Sequence, residues 1–166
     1  MARIRIQTEP FDVSTELDKL HARHSGVGGI CSFVGTVRDC THGSLVQELE
    51  LEHYPGMTEK CIEAMIEFAC LRFDIISATV IHRVGKLLPF DVIVLVAVTS
   101  AHRQASFQAC EYLMDYLKTQ APFWKKEGDG KTSRWVDARI SDDDALSRWG
   151  IHLGNASVDG LHQLAT

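Results

Sequence analysis

Residues 92–103, which read VIVLVAVTSAHR, decide the fold. The first eight are apolar or β-branched without polar alternation, and such a run is typical of a strand that is buried on both faces. Ser100 follows, and a serine directly before a helical pattern is a common helix N-cap. Apolar residues then recur at helical spacing, at Cys110, Leu113, Met114 and Leu117. The stretch therefore predicts a buried strand over residues 92–99 that leads into a helix, which must end before Pro122.

Strands and helices alternate irregularly on either side of this stretch. Strands are predicted over residues 3–7, 30–37, 45–53, 75–84 and 134–139, helices over residues 14–23 and 57–73, and loops or turns over residues 39–44, 85–91 and 123–129. Links of hairpin length join several of the strands. The pattern therefore favours an α+β domain with a mixed, largely antiparallel sheet over a doubly wound parallel sheet.

Composition and charge exclude several classes of protein. The chain has 166 residues, 45% hydrophobic and 23% charged, which fits one globular domain. No apolar run reaches the roughly 18 residues of a membrane helix, and the first ten residues lack the apolar block of a signal peptide, so we expect a cytoplasmic protein. The net charge of −5 argues against a general nucleic-acid binder. Residues 118–139 nevertheless carry a net charge of +3, which suggests a small anionic ligand or an acidic partner.

The first candidate site is the segment that opens the predicted helix, residues 100–103. Unpaired backbone N–H groups at a helix N-terminus favour negative charge. His102 and Arg103 add an imidazole and a guanidinium at this place, so the segment could bind a phosphate or a carboxylate. A solvated helix start explains the same residues equally well, and both interpretations stay open.

The second candidate site is the group of lysines around residues 118–126. Lys118, Lys125 and Lys126 flank a stiff apolar link, Pro-Phe-Trp. A lysine beside other cations and apolar rings can act as a base or a nucleophile. The simpler explanation of Lys118 is a cation that stabilises a helix C-terminus. Arg38 lies at the end of a predicted strand and is a candidate site residue only in combination with the other two sites.

Cysteines and histidines give weaker signals. The five cysteines are odd in number and contain no C-x-x-C pair, so neither a disulfide framework nor a structural zinc site is expected. His21 and His24 lie three residues apart, but no histidine spacing typical of a metal site occurs, and no metal is expected. A nucleophilic cysteine would be Cys31 or Cys40, and nothing local would activate either thiol.

Six motifs taken together resemble one known family. They are FVGTVR (33–38), LEHYPGMTE (51–59), VIHRVG (80–85), VTSAHR (98–103), MDYLK (114–118) and APFWKKE (121–127). In this order and spacing, residues 4–149 resemble the large, catalytic subunit of molybdopterin synthase. We therefore expect one domain over residues 1–149. Residues 150–166 have no counterpart in the family and are expected to form a loosely ordered tail.

This resemblance implies a sulfurtransferase of molybdenum cofactor biosynthesis with an α/β-hammerhead-like fold. The family converts cyclic pyranopterin monophosphate into molybdopterin by installing two dithiolene sulfurs. The sulfur arrives as a thiocarboxylate on the C-terminal Gly-Gly of a small ubiquitin-like subunit. The family assembly is a heterotetramer, in which a homodimer of large subunits carries one small subunit at each end. The resemblance implies no metal. It also implies no cofactor, because the pterin is the substrate of the reaction.

The resemblance also implies roles for individual residues. The catalytic lysines of the family fall on Lys118 and Lys125. The family's substrate-binding residues fall on Arg38, His102, Arg103, Lys126, Glu127 and Arg139. The chain departs from the family pattern at Phe90, where relatives commonly have glycine, and at Gly29, where alanine is common. The turn around Phe90 is therefore expected to be reshaped.

Helix geometry adds a hypothesis about the assembly. His102 and Lys118 lie near opposite ends of one predicted helix, and sixteen residues at a rise of 1.5 Å separate them by about 24 Å. One small pterin cannot contact both. If both groups serve one substrate, they come from different protomers of the dimer.

Two other functions stay open beside the enzyme. The first is a docking module that binds a ubiquitin-like sulfur carrier or a phosphorylated ligand without chemistry. The second is a cysteine-dependent sulfurtransferase that uses Cys31 or Cys40. Lysines at positions 118 and 125 favour the lysine-dependent enzyme, because a docking module would need neither of them there.

Overall fold

The computed structural model describes residues 2–21, 25–41, 44–128, 133–136 and 148–150. These residues form ten strands and three helices. In chain order they are β1 (Ala2–Gln7), α1 (Val13–His21), β2 (Gly29–Thr36), β3 (Cys40–Thr41), β4 (Ser44–Leu45), β5 (Glu48–His53), α2 (Met57–Phe73), β6 (Ile75–Arg83), β7 (Gly85–Leu87), β8 (Val92–Ser100), α3 (Arg103–Thr119), β9 (Phe123–Gly128) and β10 (Ser133–Val136). No helix within these ranges is long and apolar enough to cross a membrane.

Two four-stranded sheets build the domain. The first has the order β1-β6-β8-β2, in which β8 runs antiparallel to both neighbours and β1 runs parallel to β6. The second has the order β10-β9-β5-β7 and is antiparallel throughout. β3 and β4 form a small separate ribbon. The predicted α+β class with mixed, largely antiparallel pairing is confirmed.

Strand β8 is the centre of the core, as its apolar run predicts. Its last seven residues are all buried. Successive side chains of a strand point to opposite faces, so one set packs with α2 and α3 and the other set with α1. The first set is Val94, Val96 and Val98, packed with Ile62, Ile66, Ala109 and Leu113; the second is Leu95 and Ala97, packed with Leu17 and Leu20. The run must be apolar throughout because both of its faces are covered.

Some local predictions are wrong. Ser100 is the last residue of β8, and its hydroxyl donates to the His102 carbonyl at 2.6 Å. The N-cap is His102, with φ −129° and ψ 139°. Residues 123–128, predicted as a basic loop, form β9 because they pair with β5 along six residue pairs. Short strands also occur where a loop or turn is predicted, as β3 and β7, and the strand predicted over residues 45–53 is divided into β4 and β5.

The turn at residues 88–91 has a backbone conformation that is unfavourable for one of its residues, Phe90. Phe90 has φ 74°, in the left-handed region, and Pro89 precedes it. Proline at the second position and a positive φ at the third are the pattern of a type II turn, whose third position favours glycine. The turn therefore keeps a glycine-like geometry, and Phe90 adopts it under strain.

A segment around Trp149 packs against the two long helices. The Trp149 indole lies edge-on to the rings of Phe73 and Tyr112, at centroid distances of 5.7 and 5.5 Å. Its Nε1–H donates to Asp115 Oδ2 at 2.8 Å, and Arg148 donates to the same oxygen at 3.0 Å. We call these contacts the Trp149 clasp; they attach the segment to α3 one turn before Lys118.

Strands β6 and β9 meet through a ring stack. The rings of His82 and Phe123 have centroids 4.0 Å apart and planes 17° apart. His82 Nδ1 lies 2.8 Å from the carbonyl oxygen of Arg83 and donates to it. Burial, with a smaller effect of the nearby His53, lowers the pKa of His82 from 6.5 to about 4. The imidazole is therefore neutral at neutral pH, because burial disfavours its charged form.

Two adjacent glycines give the first prediction. The Gly28 N–H donates to the Ser100 carbonyl at 2.9 Å, and a β-carbon at Gly28 would overlap the carbonyl oxygen of Ala101. A β-carbon at Gly29 would meet its nearest neighbours at 3.6–3.7 Å, which is ordinary contact. Gly28→Ala should lower the free energy of unfolding by about 2 kcal/mol, whereas Gly29→Ala should change it by less than about 0.5 kcal/mol. Urea denaturation measures both, and equal stability of the two variants would contradict the close approach.

The His82 stack gives the second prediction. Between pH 6.5 and about 4 the unfolded chain binds a proton at His82 that the folded chain does not, so stability falls as the pH is lowered through this window. The loss should reach at most about 3 kcal/mol and should level off at lower pH. His82→Phe keeps the stack without the titration and should flatten this part of the pH profile of urea denaturation. His102→Gln, at an exposed histidine, is the control; an unchanged slope in His82→Phe would refute the assignment.

Candidate active site

A cleft of about 210 Å³ lies where the end of β2, the last turn of α3 and strand β9 meet. Apolar side chains line one part of it, namely Val37, Val46, Leu49 and Ile93. The polar lining consists of Thr36, Arg38, Lys118, Lys125 and Glu127. Three cations and one carboxylate thus surround a small space, and this charge balance suits an anionic ligand.

Strand β9 places two of these charged groups. It pairs with β5 so that Lys125 lies opposite the buried Leu51, and Glu127 opposite the buried Leu49. Directly opposed residues share one face of an antiparallel sheet. Lys125 and Glu127 therefore lie on the side of the sheet that contains the cleft.

Lys126 lies on the other side of the same strand. It is opposite Glu50 in the pairing, and its Nζ lies 3.9 Å from Glu50 Oε2. The neighbouring side chains on this outer face are Glu48 and Lys86, which form an ion pair at 3.2 Å. Within one chain, Lys126 does not line the cleft that contains Lys125.

A tight ion pair connects the two charged residues of β9. Lys125 Nζ lies 2.6 Å from Glu127 Oε1, and Glu127 is 7% exposed. A buried carboxylate is costly without a cation, so Glu127 holds the Lys125 ammonium in place. Arg38 and Lys118, by contrast, form no ion pair within the described part of the chain.

Helix α2 holds the link that joins Lys118 to Lys125. The buried Thr58 donates its hydroxyl to the Pro122 carbonyl at 3.2 Å, and Cys61 Sγ donates to the Gln120 carbonyl at 3.5 Å. The stack of Phe123 on His82 continues this support into β9. The separation of the two lysines is therefore set by residues that are far away in the sequence.

The remaining predicted site residues lie elsewhere. His102 and Arg103 are exposed at the N-terminal end of α3, whose 17 residues span about 25 Å, and neither lines the cleft. Arg139 lies outside the described residues. In one chain the structure thus brings together Arg38, Lys118, Lys125 and Glu127, and it leaves His102, Arg103 and Lys126 apart from them.

Sequence reasoning missed the apolar side of the cleft. Val46, Leu49 and Ile93 line it, and none was predicted as a site residue. The alternation of residues 48–53, ELELEH, was the available signal for Leu49, since it predicts one apolar face. Recognition of β9 as a partner strand would also have separated Lys125 from Lys126.

The two candidate cysteines lie apart from the cleft. Cys31 is partly buried in β2 and Cys40 is exposed in β3, and neither lines the cleft. Burial, reinforced by the nearby Cys31, raises the pKa of the Cys110 thiol to about 12, and a thiol in such surroundings is a poor nucleophile. Nothing in this geometry favours a cysteine-dependent reaction.

The described residues give no indication of a metal centre. They contain no group of three or more His, Cys, Asp and Glu side chains placed to hold a metal ion. The expectation that the reaction uses no metal and no cofactor stays a prediction.

Comparison with known proteins gives a consistent result. The family model described as "MoaE protein" matches residues 6–120. The molybdopterin synthase catalytic subunit of Ralstonia nicotianae is 56% identical over 158 residues, which cover 95% of this chain and 90% of that protein.

Solved structures agree with the sequence relatives. The molybdopterin biosynthesis MoaE protein from Burkholderia ambifaria superposes with a TM-score of 0.79 at 53% identity, covering 92% of this chain and 100% of that one. Molybdopterin synthase from Staphylococcus aureus superposes with a TM-score of 0.74 at 31% identity, covering 80% and 96%. This chain therefore belongs to the MoaE family, that of the molybdopterin synthase catalytic subunits.

Proposed function

We propose that this chain is the catalytic subunit of a molybdopterin synthase and that the cleft holds its reacting groups. It transfers sulfur from the thiocarboxylated C-terminus of a small ubiquitin-like subunit to cyclic pyranopterin monophosphate, which makes the dithiolene of molybdopterin. The observation that carries this proposal is the meeting of Arg38, Lys118, Lys125 and Glu127 in one cleft. The molybdopterin synthase catalytic subunit of Ralstonia nicotianae, at 56% identity, supports the reaction.

The charge of the cleft suits both reactants. Cyclic pyranopterin monophosphate carries a phosphate, and the tail of the small subunit ends in a thiocarboxylate, so both are anions. A planar guanidinium binds phosphate oxygens in pairs, and we assign phosphate binding to Arg38. His102 and Arg103 lie at the N-terminus of α3 and supply a second position that favours an anionic group such as phosphate.

The two cleft lysines differ in their surroundings, and we assign them different roles. Lys125 is held by Glu127 at 2.6 Å, which suits it to hold the entering tail in a fixed position. Lys118 forms no ion pair among the described residues, so no carboxylate in those ranges holds its ammonium away from a substrate in the cleft. Lys118 therefore acts as a general acid and base, or transiently as a nucleophile, while the thiocarboxylate sulfur attacks the substrate side chain. A carbon–sulfur bond forms as a carbon–oxygen bond of the side chain breaks, and water then hydrolyses the acyl–sulfur bond, which leaves the tail of the small subunit as a carboxylate.

The assembly follows from the length of α3. Because about 25 Å separates its ends, we assign His102 and Arg103 of one protomer to the site that contains Lys118 of the other. This arrangement requires the homodimer, which carries the small subunits in a heterotetramer. Lys126 lies on the outer face against Glu50, so its expected substrate role requires the site of the other protomer. Arg139 lies outside the described residues, and its expected substrate role stays a prediction.

The proposal places the reaction in the cytoplasm and needs no cofactor. All five cysteines are free thiols, which supports a reducing compartment. The four charged cleft residues supply binding, proton transfer and tail positioning, and the small subunit supplies the sulfur.

Replacing Lys118 tests the central assignment. Lys118→Ala should reduce dithiolene formation by about 10²–10⁴-fold, as loss of an acid–base group typically does, and binding of the small subunit should stay within about twofold because the cleft keeps its other charges. Purified chain, thiocarboxylated small subunit and cyclic pyranopterin monophosphate are mixed and product is assayed, with calorimetry for binding. Lys86→Ala, on the outer face, is the matched control.

The outcomes of this test separate the candidate functions. Full activity in Lys118→Ala would remove its catalytic role. Tight binding of the small subunit to the wild-type chain without any product would favour the docking module. Loss of activity on alkylation of the thiols, in a protein that stays folded, would favour the cysteine-dependent enzyme.

Hybrid dimers test the shared site. One chain carries His102→Ala and Arg103→Ala, and the other carries Lys118→Ala; each is inactive alone. After subunit exchange, half of the dimers are hybrids with one intact site of two, so about a quarter of wild-type activity should return. Exchange is verified by mass spectrometry of differently tagged chains, and no recovery after exchange would place all of these groups in one protomer.

A further inference from the structure

The backbone before Arg38 is held by the turn at residues 88–91. The Val37 N–H donates to the Asp91 carbonyl at 2.9 Å, and the Val37 carbonyl accepts the Phe90 N–H at 2.9 Å. Val37 is also buried, in a cluster with Leu49, Leu51 and Leu87. The turn thus sets the direction in which the chain leaves β2, and Arg38 is the next residue.

One carboxylate closes this turn. Asp91 Oδ2 accepts the Leu88 N–H at 2.9 Å, and the Asp91 N–H donates to the Leu88 carbonyl at 3.1 Å. The same Oδ2 lies 3.6 Å from Nη1 of the buried Arg83. The Arg83 guanidinium also donates to the carbonyls of Thr8 and Val92, at 3.2 and 3.3 Å. Asp91 is therefore tied to a cation that two other hydrogen bonds hold in place.

The turn depends on this closure because Phe90 is strained. Its φ of 74° is unfavourable for a residue with a β-carbon. The Phe90 side chain is 76% exposed, so packing contributes little to hold it. If the Asp91 bonds were lost, Phe90 could relax towards negative φ, and the two hydrogen bonds to Val37 would no longer be aligned.

We propose that Asp91 is a positioning residue for Arg38. Together with Arg83, it holds the strained turn against Val37 and so keeps the Arg38 side chain at the cleft. Asp91 is not among the cleft-lining residues, so it acts through the backbone and not by contact with substrate. This inference rests on the proposed function, in which Arg38 binds the substrate phosphate.

A double-mutant cycle on Arg38 and Asp91 tests the proposal. Steady-state rates are measured with the thiocarboxylated small subunit and varied cyclic pyranopterin monophosphate. Asp91→Ala should raise KM for the pterin on the order of tenfold and change kcat by less than about twofold, because phosphate binding is equal in ground and transition states. The double variant should show the KM of Arg38→Ala alone, because Asp91 acts only through Arg38.

Two further variants separate positioning from loss of stability. Glycine adopts a positive φ without strain, so Phe90→Gly added to Asp91→Ala should restore most of the lost KM. Glu16→Gln weakens the ion cluster of α1 with Arg3, Arg5 and Lys19, and it should lower stability with no change in KM. Should Asp91→Ala fail to fold, Asp91→Asn keeps an acceptor for the Leu88 N–H and should raise KM by a smaller factor.

Each outcome bears on one assignment. A wild-type KM in Asp91→Ala together with a raised KM in Arg38→Ala would overturn this proposal and leave the proposed function intact. Additive effects in the double variant would also overturn it, since Asp91 would then act independently of Arg38. A wild-type KM in Arg38→Ala would remove Arg38 from the substrate site, and the positioning role would fall with that assignment.

Discussion

The antiparallel pairing of β9 with β5 is the interaction on which the candidate site depends. It sets six opposed pairs, and two of them oppose a buried leucine of β5 to a charged residue of β9. Because Leu49 and Leu51 are buried in the core, the hydrophobic effect fixes which face of β5 points inward. With β5 fixed, a shift of β9 by one residue would turn Lys125 and Glu127 to the outer face and Lys126 to the cleft side. The register of this pair therefore decides which of two adjacent lysines faces the cleft.

Charge is concentrated in the cleft although the chain as a whole is acidic. The three cations come from the end of β2, the end of α3 and from β9, so the site exists only when both sheets and the helix are in place. Glu127 pairs with Lys125, whereas Arg38 and Lys118 form no ion pair with any residue in the ranges that the structure describes. Repulsion between the like charges of the cleft destabilises the free protein. An anion that binds in the cleft relieves this repulsion, so the same electrostatic energy stabilises the complex.

The elements that could be predicted are those whose own residues carry a recognisable hydrophobic pattern. The apolar run of β8 and the helical spacing of α2 and α3 can be recognised without knowledge of any partner. Strand β9 could not be predicted in this way, because FWKKEG neither alternates nor is apolar, and its reason to be extended lies in β5. His102 and Arg103 could form an anion-binding site or only a solvated helix start. The choice between these two interpretations also depends on a second protomer, which one sequence does not describe. The departure at Phe90 was visible in the sequence, but only the backbone shows that Phe90 takes a positive φ in this turn.

The Trp149 clasp has a consequence for where a shortened chain can end. The match to the family model stops at residue 120, and the last described strand ends at Val136. A piece cut after that strand would retain the described cleft residues, yet it would uncover the rings of Phe73 and Tyr112 and leave the Asp115 carboxylate without its indole partner. Exposed aromatic surface promotes association between copies of a chain. The shortest fragment that avoids such association therefore has to include Trp149.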